Sequence, residues 1–445
     1  MAQTSCNNGE TDQVLVEERG SVRTFILNRP KQLNALSFQM ISRLAELFYA
    51  SEEDSNVKMI ILKGHGRAFC AGGDLSTPFH IIHQGNWQLG ANYIRELYTL
   101  IYMIATYRKP QSCLDCPLKV SILNGIVMGA GAGVSIHGRF RVATEKSVFA
   151  MPETAMGLFP DVGSSYFLSR LPGFFGNLTS HIVHIYDENY CYYCGKPFPT
   201  LSMMPIEFVR IMVMSCFPFS YIFLYSLAGE YAGLTGFRLD GAEMFACGLA
   251  THFVSSDKLP LLEQALVEVN TSDPDAISAI ISHFSHIPKL KEGSPYHKMK
   301  IINHCFSRRT IEEIISTLES KALDKKDDWI SSTIQLLKKA SPTSLKITLR
   351  LIREGRLQGV DSCLVREYGI FCHVLRGEFN KDILEGFRAI IIEKDRNPKW
   401  DPSGVELVRD DDVDRYYTKI DDEDWEDLKL PPRSYLPPPH AIAKL

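Results

Sequence analysis

The sequence predicts an α/β core built from repeated strand–strand–helix units, followed by a helical C-terminal region. A short, fully apolar segment at Met59-Ile60-Ile61-Leu62 and a second short strand at Val120 to Leu123 are each followed by a glycine-rich loop, so one plan occurs twice. Beyond about Ser255 the apolar residues switch to the 3–4-residue spacing of helices. At 445 residues the chain also exceeds one ordinary hydrophobic core, which sets two domains as the expectation.

The elements follow in order. Val14-Leu15-Val16 and Val22 to Leu27 flank the turn Arg19-Gly20-Ser21 and read as a hairpin. Ser37 caps an amphipathic helix to about Ala50, with Ile41, Leu44, Leu47 and Phe48 on its buried stripe. Met59 to Leu62 has the uninterrupted apolar character of a strand covered on both faces. The loop Gly64 to Asp74 follows. The second unit runs from strand Val120–Leu123 through Asn124-Gly125 to Gly129-Ala130-Gly131-Ala132-Gly133, which enters a helix. Short strands continue at Phe140 to Ala143 and Val148 to Ala150.

The core is placed at residues 1–255 and a helical domain at 256–400. The helices read there are Leu261 to Val269, Ile311 to Leu318, Trp329 to Lys338, Leu345 to Arg353 and Val360 to Leu375. A further run, Glu378 to Lys394, ends at Asn397-Pro398. Residues 401–445 form a tail, with an acidic run Asp410 to Asp427 read as solvated, a Pro-rich stretch Leu430 to His440, and a final Ala443-Lys444-Leu445.

Composition narrows the function. With 45% apolar and 22% charged residues and a net charge of −4, nothing argues electrostatically for nucleic acid or an anionic membrane as partner. Eleven cysteines without regular spacing, and an N-terminus without an apolar h-region, point to a reducing compartment. Ala443-Lys444-Leu445 is one conservative step from the Ser-Lys-Leu address, so a peroxisomal location and an import receptor are expected.

One segment stands apart. Asn177 to Gly229 is dense in His, Cys, Tyr, Phe and Met, and its uncharged part, Ile211 to Gly229, approaches the span of a bilayer but contains Pro218. Removing it joins Leu171-Pro172-Gly173-Phe174-Phe175-Gly176 smoothly to Glu230-Tyr231-Ala232-Gly233. An inserted subdomain, a membrane hairpin and a translated intron all fit, and the intron is the preferred reading. No membrane partner is expected unless 211–229 belongs to the natural protein. Cys113-x-x-Cys116 and Cys191-x-x-Cys194, with His181 and His184, are the residues a zinc site would use. Both pairs lie in anomalous segments, so no metal is expected. His65, His137 and His252 read as packing or loop residues, and Cys70 as a small apolar filler.

The chemistry concentrates in Met151 to Gly163. Glu153 and Asp161 stand eight residues apart in an otherwise apolar segment punctuated by Gly and Pro. Carboxylates among apolar neighbours are costly unless paired, hydrogen-bonded or used. They suit a general base and an orienting acid for attack by water; helix caps or loop acids are the plainer alternative. The loops Ala71-Gly72-Gly73-Asp74 and Gly129-Ala130-Gly131 let a ligand approach the backbone, and one N–H from each could converge on a developing oxyanion. The second loop lacks the G-x-G-x-x-G spacing of a dinucleotide fingerprint.

Together these residues resemble the crotonase (enoyl-CoA hydratase/isomerase) superfamily, and within it the 3-hydroxyisobutyryl-CoA hydrolases, plant peroxisomal members included. The carriers are Gly66 to Asp74, Asn124 to Gly131, His137-Gly138-Arg139-Phe140-Arg141-Val142-Ala143-Thr144-Glu145, Met151 to Gly163, and Leu249-Ala250-Thr251-His252-Phe253-Val254. The resemblance spans about Val14 to Val254 apart from the odd segments, and continues more loosely to Trp400.

It implies a crotonase-like spiral of stacked ββα units, with the peptide N–H groups of Gly73 and Ala130 as oxyanion hole. Glu153 falls on the family's catalytic glutamate and Asp161 on the acid found in its hydrolases. Hydratases carry a second glutamate where this chain has Gly133, which favours thioester hydrolysis. The family's acyl-pocket acid on the preceding helix falls by ungapped counting on Leu97, with Glu96 beside it. The implied activity is hydrolysis of 3-hydroxyisobutyryl-CoA or a similar short 3-hydroxyacyl-CoA in valine breakdown, CoA being part of the substrate and no other cofactor needed. An enoyl-CoA hydratase or isomerase is the alternative enzyme, and a pseudo-enzyme disabled or tethered by 177–229 the alternative outside enzymes. Self-association is left open.

Overall fold

The computed structural model describes residues 12–74, 86–107, 118–171, 227–324, 327–422 and 425–433. Most of the 177–229 segment, both Cys-x-x-Cys pairs, and the terminal Ala443-Lys444-Leu445 lie outside the described residues.

The hairpin forms as the alternation predicts: β1 (Val14–Arg19) pairs antiparallel with β2 (Val22–Leu27). Ser37 then caps α1 (Phe38–Glu53), its hydroxyl accepting from the Met40 N–H at 3.1 Å. β3 (Met59–Gly64) lies between β2 and β5 (Leu118–Leu123), parallel to both, and its first four residues are buried. The short β4 (Ala68–Cys70) leads toward α2 (Trp87–Ala105). β5 is followed by β6 (Ile126–Met128) and α3 (Ala130–Ile136). β7 (Phe140–Ala143) and β8 (Val148–Ala150) open the third unit, which closes with α4 (Ser164–Phe167).

Successive units stack into two sheets. The larger runs β1-β2-β3-β5-β7-β10, and the smaller β4-β6-β8-β9, where β9 is Leu239–Asp240 and β10 is His252–Phe253. Each turn of the chain therefore places one strand in the large sheet and the next in the small one. That arrangement is the spiral of ββα units, and it lines up the ends of β4, β6 and β8 where their loops meet.

The remaining helices are α5 (Ala228–Thr235), α6 (Gly241–Ala246), α7 (Leu259–Glu268), α8 (Pro274–Phe284), α9 (Met299–Phe306) and α10 (Ile311–Asp324). They continue as α11 (Asp328–Lys339), α12 (Pro342–Gly355), α13 (Val360–Arg376) and α14 (Asp382–Phe387). α14 passes into a π turn, Arg388–Ile392, where the sequence suggests one longer helix.

The main hydrophobic core crosses the boundary near residue 255. It joins Phe69, Leu97 and Phe159 to Ile347, Leu364 and Phe371. The acidic run is not wholly solvated. Val413, Tyr416 and Ile420 recur at helical spacing and are buried in that core, and the Trp425 ring stacks on Tyr368 with centroids 5.4 Å apart. Near the end of the described chain, Arg433 pairs with the buried Glu52 of α1 at 2.9 Å. Among the described residues no helix is long and apolar enough to cross a membrane.

Candidate active site

β4 and β6 are parallel neighbours, so the loops that leave them run side by side. A methyl group on Gly129 would come 3.6 Å from the Gly72 Cα, which measures how closely the loops abut. Gly73 bridges to Leu36 through its neighbours: Leu36 donates to the Gly72 carbonyl and Asp74 donates to the Leu36 carbonyl, both at 2.9 Å. In that pattern the Gly73 N–H points away from Leu36. Ala130 is the first residue of α3, so its N–H is one of the helix's unpaired donors. The Gly73 loop is fixed from behind. The Tyr93 hydroxyl donates to the Leu36 carbonyl at 2.8 Å, and Asp74 pairs with Arg29 at 2.9 Å. Asn34, fully buried, donates to the carbonyls of His65 and Ala68.

After β8 the chain makes a single 3-10 turn, Glu153–Met156, ended by Gly157 in the left-handed region. The turn leaves Glu153 only 8% exposed, with its Oε1 beside Gly129, 3.2 Å from where a Cβ would stand there. Glu153 thus lies against the residue preceding Ala130. Its Oε2 has no hydrogen-bond partner among the described residues. Burial, and next the charge of Asp161, hold the Glu153 carboxyl well above the usual carboxylate range.

Asp161 reaches the same region from the other end of the segment and is equally buried. Burial pushes its carboxyl up to about 6, opposed by a hydrogen bond from Tyr98, whose hydroxyl donates to Oδ2 at 2.8 Å. The Tyr98 phenol is itself pushed up by burial and by Asp161, so it keeps its proton and stays a donor. Two carboxyls, one inclined to be neutral and one inclined to be charged, therefore stand close enough to feel one another's charge, with Glu153 against the second glycine-rich loop.

Gly133, one turn into α3, shows why no third acid stands here. A Cβ on it would fall 2.7 Å from Ile101 Cδ1 and 2.8 Å from Val162 Cβ. The turn that carries Asp161 occupies that space.

On α2, Glu96 projects from the solvent face and Leu97 is buried in the core. The residue that α2 brings to Asp161 is Tyr98, which lies on nearly the opposite side of the helix from Glu96. Tyr93, Asn34 and Glu367 were likewise not singled out by the sequence. Glu367 carried a readable signal, because it shares the apolar stripe Cys363, Leu364, Phe371 and Val374 of α13, where a lone acid is out of place.

The bystanders behave as expected of packing residues. His137 packs edge-on against Phe167, and the burial of its imidazole pushes it down to about 3, leaving it neutral. Burial pushes the Cys70 thiol up to about 12, so it does not ionise near neutral pH. Among the described residues no cluster of His, Cys, Asp and Glu is arranged to hold a metal.

Stacked ββα units opening on two glycine-rich loops define a crotonase-fold protein. The family described as enoyl-CoA hydratase/isomerase matches residues 22–195 and 221–417, and the chain belongs to it. It is similar to 3-hydroxyisobutyryl-CoA hydrolase 1 of Arabidopsis thaliana, 55% identical over 97% of this chain and 98% of the relative. The probable 3-hydroxyisobutyryl-CoA hydrolase 3 of the same plant is 54% identical over 97% of this chain and 99% of its own length. Among solved structures, a carnitinyl-CoA dehydratase from Mycobacterium thermoresistibile has a TM-score of 0.72 at 29% identity, over 94% of this chain and 99% of that one.

Proposed function

We propose that this chain hydrolyses short 3-hydroxyacyl-CoA thioesters, with 3-hydroxyisobutyryl-CoA as its substrate, to the free hydroxy acid and CoA. The observation that carries the reading is Glu153 lying against Gly129, between the loops that present the N–H groups of Gly73 and Ala130. The thioester oxygen lies between those two donors, each worth about 2.7–4 kcal/mol of transition-state stabilisation in comparable sites. The same surroundings that raise the proton affinity of Glu153 make its ionised form a strong base, and in that form it takes a proton from water as the water oxygen attacks the carbonyl carbon. Collapse breaks the C–S bond, and the proton held by Glu153 passes to the departing thiolate. Direct attack by Glu153 would instead form an anhydride that water opens. Asp161, kept charged near neutral pH by Tyr98, orients the 3-hydroxyl or the water.

The names of the similar plant proteins support this substrate. Gly133 supports hydrolysis over hydration, since hydration of an enoyl group uses two acids and the second has no room. No residue role in this scheme calls for a metal or a second cofactor. Thiol release from a panel including 3-hydroxyisobutyryl-CoA and crotonyl-CoA tests the assignment. Release confined to the hydroxyacyl thioester, abolished by Glu153→Gln, is the expected result; hydration of crotonyl-CoA without thiol release would replace it with the hydratase reading.

We read Ala443-Lys444-Leu445 as a peroxisomal address and the reaction as a step of valine breakdown. A fluorescent fusion ending in these residues should become diffuse when they are removed.

Residues 177–229 are read as dispensable, as a retained intron would be. Gly229 packs so closely on the 3-10 turn Leu168–Arg170 that follows α4 that a Cβ there would fall 2.0 Å from the Leu168 carbonyl oxygen. Excision brings Gly176 to the position before Glu230, supplying glycine where glycine is required. The family match is itself interrupted between residues 195 and 221.

A further inference from the structure

The turn that presents Asp161 is backbone that the local sequence does not favour. Val162 has φ +60° and Gly163 φ +80°, two consecutive left-handed residues, the first of them β-branched. A bulky residue in that region is strained and persists only when its surroundings hold it. What holds it comes from about two hundred residues further along the chain. Glu367 on α13 is fully buried, and its Oε2 accepts from the Gly163 N–H at 2.7 Å. Its Oε1 accepts from the Ser165 N–H at 2.9 Å and from the Ser165 hydroxyl. The next residue, Tyr368, sets its ring edge-on to Tyr98, the donor to Asp161, with centroids 6.3 Å apart.

We propose that Glu367 is a positioning residue of the reaction: its carboxylate clamps the Gly163–Ser165 backbone and so fixes where Asp161 points. The inference rests on the assignment of Asp161 given above. Three donors converge on one carboxylate, so it is bound as a template for that turn and is not left over as an unpaired core charge. The groups that face it are Tyr98 from α2, Asp161 from the turn, Cys363 from its own helix and Tyr417 from the C-terminal segment. Burial is the largest influence on Glu367 and pushes its carboxyl up to about 7. The helical region thereby completes the site in addition to packing beside it.

The test compares Glu367→Gln with Asp161→Asn in the full chain, using 3-hydroxyisobutyryl-CoA and checking folding by circular dichroism and a cooperative melt. Glutamine keeps the shape but turns an N–H₂ toward one of the backbone donors, so the turn should loosen. A misplacement of about 1 Å can cost roughly 100-fold. Folded Glu367→Gln should therefore lose roughly 10- to 100-fold in kcat with KM within about threefold, and amide exchange should quicken at residues 163–165. Should Glu367→Gln fail to fold, Ser165→Ala, which removes one of the three donors, should lower kcat severalfold with unchanged KM. Wild-type kcat in a folded variant, or a loss that merely tracks the folded fraction, overturns the clamp. If Asp161→Asn is impaired and Glu367→Gln is not, the clamp alone is wrong; if Asp161→Asn turns over normally, the assignment of Asp161 falls first.

Discussion

Gly133 of α3 and Val162 of the turn after Asp161 occupy one another's space: a Cβ added to the glycine would fall 2.8 Å from the Cβ of the valine. A helix position and a strained turn are thereby mutually exclusive with a third acid. Gly133→Ala should destabilise the chain by about 1–3 kcal/mol through overpacking, read as a lowered melting temperature. Gly133→Glu should fail to create crotonyl-CoA hydration, because a side chain forced in there must displace the turn that carries Asp161. Hydratase activity in a well-folded Gly133→Glu protein would refute this account.

Removing the Tyr98 hydroxyl isolates its effect on Asp161. The hydrogen bond stabilises the charged carboxylate, so Tyr98→Phe should move the Asp161 carboxyl upward from about 6. The acid limb of the kcat profile should shift to higher pH by the same amount, with little change at alkaline pH. A limb that stays in place would show that Asp161 is not the group titrating there.

Stability should depend on these acids with a definite sign. Asp161 is raised from 3.8 to about 6 and Glu367 from 4.5 to about 7, so the folded chain holds their protons more tightly than the unfolded chain does. Their contribution is present in full below about pH 4 and is lost as pH rises through 6 and 7. Urea melts between pH 4 and 8 should show a downward slope with rising pH in the wild type. Asp161→Asn and Glu367→Gln should each flatten that slope, whatever their constant offset. Unchanged slopes would mean that neither carboxyl is perturbed in the folded protein.

Deleting 177–229 should leave a folded, active hydrolase, because Gly176 then stands where Gly229 packs on Leu168. In that shortened chain Gly176→Ala should destabilise strongly, as a Cβ at that place overlaps a backbone carbonyl. A deletion protein that is insoluble or inactive beside an active full-length chain would make the segment a genuine part of the enzyme.

Much of this architecture was legible because its periodicities are clean. The hairpin alternates, Ser37 is a strong cap, and Phe140–Ala143 and Val148–Ala150 form where short apolar runs stand between turns. α2 carries a regular stripe, Ala91, Ile94, Leu97, Tyr98 and Ile101, opposite the exposed Gln88, Asn92 and Glu96, but the stripe does not say which of its members is chemical. α8 announced itself by Asp273 at the cap and Pro274 at the first helical position, a signal easily passed over in a polar stretch. The 410–427 run misled because its charges outnumber Val413, Tyr416 and Ile420, which do the packing. In the site, Glu153, Asp161 and the two loops are local in sequence and could be read there. Tyr98 and Glu367 act through contacts spanning 63 and 204 positions, which no local pattern encodes.

The distance along the chain between Gly163 and Glu367 has a consequence for biosynthesis. A ribosome emits both reactive acids long before α13 emerges, so the nascent polypeptide carries the chemistry without the brace that aims it. Premature termination between Ser165 and Val360 should therefore yield a product with every reacting group present and almost no turnover, which makes catalysis a late event of translation.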